Sequence, residues 1–173
     1  MTTVRIRLGI AAASATLAVA GLAATTSHAG ATAPACGNSA LAVTHTHTDG
    51  ATGHGMFVLL FKNISSHTCT LYGYPGLDAL NGAGHVIAHA QRTMLGFAGG
   101  AHVKTIVTIT PGHFASATAE WMNFNPTTSG PCTFSKSIAT TPPNTTKTVH
   151  FPVSVSVCRL QIHPTVAGTS GRN

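Results

Sequence analysis

The stretch Phe57–Gly76, FVLLFKNISSHTCTLYGYPG, constrains this chain more than any other. Met56–Phe61 is apolar at every position, which is what a strand needs when both of its faces are covered at the centre of a sheet. Asn63–His67 is a polar connection. Thr68–Tyr74 then returns with Cys69, Leu71 and Gly73 on one face and Thr70, Tyr72 and Tyr74 on the other, and Pro75-Gly76 ends it.

The same two-residue period recurs along the chain. Leu41, Val43, His45 and His47 share one face, opposite Thr44, Thr46 and Thr48. Asp49–Gly53 is a turn. Leu77–Leu80 leads into the turn Asn81–Gly84, and His85–Ala90 is a short strand. Gln91–Ala101 is rich in glycine and is expected to be a mobile loop. Val103, Thr105, Val107 and Ile109 alternate up to Pro111-Gly112, and Phe114–Met122 reads as the returning arm of a hairpin. Cys132–Ile138 is a minor strand, and Ala139–Thr146 a loop. Val149, Phe151, Val153, Val155 and Val157 alternate strictly within a closing strand over Thr148–Gln161. Pro152 makes its start an edge, because proline cannot donate to a ladder. Cys158 falls on the face opposite the valines, so its bridge needs a bulge or lies outside the core. Helical spacing is absent from these runs. The expectation is an all-β, immunoglobulin-like antiparallel β-sandwich of seven or eight strands. It occupies residues 40–163, with a flexible lead-in over 30–39 and a flexible C-terminal tail over 164–173.

The first 29 residues read as a cleaved signal peptide. Arg5 and Arg7 precede the uncharged run Leu8–Ala24, and Ser27-His28-Ala29 places small residues at −3 and −1 of a cleavage site. The run is dominated by Ala and Gly and is short for a span of ~20 residues, so no stable membrane insertion is expected after cleavage. Cleavage after Ala29 leaves 144 of the 173 residues, enough for one domain with a sizeable core.

An exported chain with four cysteines favours two disulfides over free thiols. Four cysteines permit three pairings. Cys36–Cys69 and Cys132–Cys158 are favoured because each ties neighbours in the inferred strand order, and each would contribute ~3–4 kcal/mol through loop closure.

Removing Arg5 and Arg7 lowers the formal net charge from +6 to +4. The seven remaining cations are scattered singly, which excludes a nucleic-acid track. Histidine is the unusual enrichment, with ten of the eleven downstream of Ala29. His45-x-His47 on a strand would point both imidazoles to one face ~6–7 Å apart, a spacing that suits Zn²⁺ or Cu²⁺ once a third ligand joins. His85 and His89 share a face in the same way. Charging of these histidines below about pH 6 would favour a destabilised or more strongly anion-binding state. Only Asp49, Asp78 and Glu120 remain as carboxylates. They sit on distant segments, so paired-carboxylate hydrolysis is disfavoured, and no G-x-S-x-G, H-E-x-x-H or phosphate loop occurs. Glu120, beside Trp121 on a strand, is the carboxylate expected to be partly buried. Tyr72, Tyr74 and Trp121 are candidates for a carbohydrate- or protein-binding face, the two tyrosines sharing a side suited to stacking on a sugar; the favoured expectation is that one tyrosine packs in the core and the other caps the corner.

The chain resembles the actinobacterial secreted proteins grouped as domain of unknown function 4232. The matching residues are Cys36, Phe61-x-Asn63-x-Ser65, Cys69-Thr70-Leu71-x-Gly73-Tyr74-Pro75-Gly76, Ile109-x-Pro111-Gly112-x-x-Ala115 before Trp121, and the late Cys132 and Cys158. The resemblance implies an exported single β-sandwich with no established activity, in many members tethered to the membrane. Here Ala33-Pro34-Ala35 precedes Cys36, which departs from a lipobox. The functional expectation is a secreted, monomeric, non-enzymatic module without a cofactor. It would contact an unknown protein or envelope component through edge strands and loops. A metal-binding exported domain using His45 and His47 is the alternative, and a hydrolase comes third.

Overall fold

Four pairs of large and small residues face each other across the two longest strands and set the architecture. In this computed structural model, which describes residues 32–173 and the terminal Met1, the strands are β1 (Leu41–His45), β2 (Asp49–Ala51), β3 (His54–Asn63), β4 (Cys69–Tyr72), β5 (Gly76–Leu80) and β6 (Val86–His89). They continue as β7 (Gln91–Arg92), β8 (Ile106–Ile109), β9 (Phe114–Met122), β10 (Ser137–Thr141), β11 (Val149–Phe151), β12 (Gln161–Ile162) and β13 (Val166–Ala167). Across β3 and β9, Gly55 opposes Trp121, Phe57 opposes Ala119, Leu59 opposes Ala117, and Phe61 opposes Ala115. Each bulky side chain therefore has room over a small neighbour, and the inner face of the sheet interdigitates with the layer above it. A side chain on Gly55 would run into the Trp121 indole.

The larger sheet has the order β1-β3-β9-β12-β7, with β2 also on β3 and β13 also on β9; a second has β11-β10-β5-β6, and β4 pairs with β8. Phe57, Leu59 and Phe61 from the first sheet, Leu77 and Ile138 from the second, and Leu71, Val107 and Ile109 from the β4–β8 pair meet in one buried core. The fold is thus an all-β layered structure with no helix among the described residues. Both expected disulfides are present, Cys36–Cys69 and Cys132–Cys158. The expected signal peptide lies outside the described residues. Accordingly, no helix long and apolar enough to cross a membrane occurs among the described residues.

Several expected boundaries move. The strands among the described residues number thirteen, not seven or eight, because long runs break into short pieces. The closing run is one case: Val153 N–H bonds back to the Phe151 carbonyl at 2.8 Å around Pro152, so only β11 and β12 are regular, although Val153 and Val155 still point into the core. Asp49–Ala51 is strand, not turn, and the reversal is confined to Thr52 and Gly53, with φ 52° and 78°, the positive pair that a two-residue hairpin requires. Leu77–Leu80 belongs to β5, a strand that the sequence reading missed. Nor do Val103–Ile109 and Phe114–Met122 form a hairpin. β8 pairs with β4 and β9 with β3, so the chain changes layers at Pro111-Gly112.

Asn63 makes that crossing possible. It is fully buried, yet its amide donates to the carbonyls of His67 (2.8 Å) and Ile109 (2.9 Å), and its Oδ1 accepts from the N–H and hydroxyl of Ser65. Gly112, at φ 79°, donates its N–H to the Asn63 carbonyl at 2.8 Å. Two of the family-like strings, Phe61-x-Asn63-x-Ser65 and Ile109-x-Pro111-Gly112, therefore meet as one fully satisfied polar clip.

The described part of the expected lead-in, residues 32–39, and the expected tail both make specific contacts with the sheets. In the lead-in, Ala35 bridges Thr70, with Cys36 N–H on the Thr70 carbonyl at 2.9 Å. In the expected tail, Val166–Ala167 pairs with β9 and Gly171 is buried. Ser116 and Thr118 explain this: their hydroxyls lie on the outer face of β9 and bond the Gly171 N–H (2.9 Å) and carbonyl (3.0 Å).

Candidate binding surface

The outer face of the larger sheet carries a buried ion pair. Glu120 on β9 opposes Gln161 on β12, and His163 opposes Thr118 just beyond, its N–H on the Thr118 carbonyl at 2.9 Å. The two side chains are diagonal neighbours on one face. Both are almost wholly buried, Glu120 at 0% and His163 at 1% exposure. His163 Nδ1 lies 2.9 Å from the Ala101 carbonyl, which can only accept, so Nδ1 carries a proton. Nε2 then faces Glu120 Oε1 at 3.4 Å, and neither atom has a hydrogen-bond partner. Two lone pairs face to face in a dry interior would be costly, so a proton lies between these atoms, and the raised pKa of His163 places it on the imidazole.

That pair is roofed by the segment joining β7 to β8. Ala98 N–H donates to Glu120 Oε2 at 2.7 Å, and Ala101 bonds His163. A Cβ on Gly96 would overlap the Glu120 carboxylate, and one on Gly100 would overlap the His163 ring. The glycines read as a source of mobility instead permit close approach of the backbone to the pair. The loop packs over the pair as a roof. Gly100→Ala is therefore expected to cost about 1–3 kcal/mol through overpacking and to speed amide exchange at Ala98 and Ala101, with the exchange rates as the check.

The tip of this roof is apolar and open to water. Leu95 is 84% exposed, Phe97 44% and Met94 43%. Phe97 lies against His54, with ring centroids 3.9 Å apart and the planes tilted by 44°. Hollows flank the tip on either side: one of about 370 Å³ includes Phe97, Ala98 and Arg172, and one of about 270 Å³ includes Leu95, Met122 and Arg159.

The stems of the loop converge on a tyrosine. Arg92 from one stem and Lys104 from the other lie 5.9 and 6.0 Å from the Tyr74 ring centroid, and Lys104 is 5.9 Å from that of Tyr72. These side chains border a cleft of about 300 Å³ shared with Gly73, Pro143 and Asn144. Gly73 has φ 93°, and open space lies where its Cβ would be.

Burial pulls the pKa of His163 down, but the facing Glu120 carboxylate and the Ala101 carbonyl outweigh it and hold the value above the ordinary 6.5. A folded pKa above the unfolded one stabilises most at low pH. The contribution is complete below about pH 6.5 and is lost as pH rises through the raised value. The melting temperature should therefore fall from neutral to mildly alkaline pH, and His163→Gln should flatten that fall in thermal melts. The sign is opposite to the acid destabilisation expected from histidines charging in general.

The other candidate residues are scattered. β1 ends at His45, so His47 lies beyond the strand on which the shared-face spacing depended. His45 is wedged edge-on between Phe57 (5.9 Å) and Phe151 (4.8 Å), with Nδ1 2.7 Å from the Thr46 carbonyl. Among the described residues, no group of three His, Cys, Asp or Glu side chains is placed to hold a metal ion. His89 meets Asp78 at 2.7 Å on the exposed side of β5–β6. Trp121 is in the core, its Nε1–H on Asn123 Oδ1 at 3.0 Å, and so leaves the aromatic surface to Tyr72 and Tyr74. Glu120 is sealed more completely than its sequence neighbours suggested. His163 was missed altogether, and only its place two residues after Gln161 in a strand-like run hinted at a partner.

Residues 36–170 match the family described as Domain of unknown function (DUF4232). The chain belongs to the DUF4232 family. No curated protein and no solved structure matches it. The matched span of this DUF4232 domain runs from the first bridging cysteine through β13, and so includes the buried pair, its roof and the tyrosine cleft.

Proposed function

We propose that this DUF4232 domain is a secreted, non-enzymatic binding module that engages another extracellular or envelope component through the loop between Arg92 and Lys104. The exposure of Met94, Leu95 and Phe97 on a backbone tied to a buried ion pair carries this reading. Apolar side chains displayed on a prearranged loop bind without first losing backbone entropy, whereas a merely connecting loop gains nothing from such a tip. Two disulfides suit an oxidising compartment. The carboxylates support the absence of catalysis. Glu120 is sealed, Asp78 is engaged with His89, and Asp49 Oδ1 accepts from the Gly50 N–H at 2.7 Å.

The test is retention of the purified domain on envelope fractions of the producing cell. The double variant L95D/F97D, both sites being exposed, is expected to melt like the parent and to lose at least ~tenfold in retention, since hot-spot truncations cost ~2 kcal/mol or more. Equal retention of parent and variant would remove the loop from the contact.

A further inference from the structure

We infer that the cleft at the loop stems is a second binding site, for an acidic saccharide. The sugar ring would lie against Tyr72, and its carboxylate or phosphate between Lys104 and Arg92. This goes beyond the contact proposed for the loop tip and uses different side chains.

Charge comes first. Arg92 and Lys104 converge on one ring from two stems, which repulsion opposes unless an anion or an aromatic face lies between them. No carboxylate borders the cleft. The three carboxylates downstream of Ala29 are engaged elsewhere, with Asp78 on His89, Glu120 on His163, and Asp49 at the β2 hairpin. The tyrosine faces hold the cations in the free protein. An incoming anion would replace that attraction with charge-assisted hydrogen bonds, which are stronger.

Shape and the remaining polar groups narrow the ligand. Tyr72 is 48% exposed at the end of β4, so its ring can accept the apolar face of a pyranose. Gly73 leaves the floor bare where any other residue would fill it. Its carbonyl is already taken by Thr165, through both the N–H (2.8 Å) and the hydroxyl (3.0 Å), which fixes the turn between the tyrosines. Asn144, held at φ 61°, offers amide donors and an acceptor at the rim beside Pro143. A volume of about 300 Å³ is at the low end of the ligand-pocket range and suits one or two sugar rings. Two cations, a ring-sized aromatic face and a side-chain amide fit a compound that is anionic, flat on one side and rich in hydroxyls.

The experiment is an NMR titration of the purified domain at low salt with D-glucuronate, glucose 6-phosphate, glucose, acetate and inorganic phosphate. Both acidic sugars are expected to shift the Tyr72 and Tyr74 ring signals and to bind on the order of tenfold tighter than glucose, acetate or inorganic phosphate. Binding should weaken as salt rises. If only one acidic sugar binds so, the acid group is identified as carboxylate or phosphate. The variants R92A/K104A and Y72A should each lose about tenfold or more while melting like the parent, and L95D/F97D should bind as the parent does, which separates this site from the loop tip. Three results would each overturn the inference: glucose 6-phosphate no tighter than phosphate together with glucuronate no tighter than acetate; no change at the tyrosine rings; or undiminished binding by R92A/K104A.

Discussion

Replacing Glu120 with alanine is expected to destabilise the domain by about 3–5 kcal/mol, the cost of removing one member of a buried charge pair. For a domain of this size that is a fall of roughly 10–15 °C in melting temperature. Two groups lose their partner at once, and a cavity opens. The Ala98 N–H is left without an acceptor, His163 Nε2 without its counter-charge, and the volume of the carboxylate is left empty. Glu120→Gln separates charge from shape. Its carbonyl oxygen can still accept from Ala98, and its amide can donate to the Nε2 of a neutral His163 whose other nitrogen keeps its proton for Ala101. The expected cost is only about 1 kcal/mol, typical of exchanging one hydrogen bond for another, and the loss of stability toward alkaline pH should vanish. Replacing both residues with leucine should restore much of the stability lost in Glu120→Ala, because apolar substitutes avoid the desolvation of two charges. Thermal and denaturant melts of the three variants decide the matter. An alanine variant within ~1 kcal/mol of the parent would mean that water already reaches the pair.

The second large effect lies at the disulfides, and the two should not be equal. Loop closure alone favours similar contributions of ~3–4 kcal/mol, since the sequence separations are 33 and 26. Burial separates them. Cys36 and Cys69 are 1% and 4% exposed and belong to the core, whereas Cys132 and Cys158 are only partly buried. The first bridge also pins the segment around Ala35 to β4, where Thr70 N–H bonds the Pro34 carbonyl at 2.8 Å. The C36A/C69A variant should therefore lose about 1–2 kcal/mol more than C132A/C158A, the cost of emptying buried volume. Denaturant midpoints measured under identical conditions check the order, and an inverted order would overturn this ranking, since loop length and burial both favour the first bridge.

Much of the inner layer was legible along the chain. The central position of Met56–Phe61 follows from its unbroken apolar run, the inward set Val153 and Val155 from period-two alternation, and the edge at Pro152 from the missing N–H of proline. Cys158 stood opposite the valines in that alternation, and its bridge does lie outside the core. The outer layer was hidden. Ser116, Thr118 and Glu120 form a polar row of which only Glu120 was expected to be even partly buried, yet all three are fully buried. Their cover comes from residues around Ala98 and Gly171, distant in sequence and rich in glycine, the residue ordinarily taken to mark freedom.

What the sequence by itself determined was local: which side chains alternate, where turns interrupt them, and how many sulfurs must be paired. Tertiary structure alone decided that β8 joins β4 while β9 joins β3, and that a glycine-rich loop and the C-terminal segment roof a charged pair. The physical reason is that alternation is a property of a single strand, set by its own backbone pleat. Pairing and cover depend on which distant segment offers the complementary surface. A serine, a glutamate or a glycine looks the same in the chain whether water or another segment will face it.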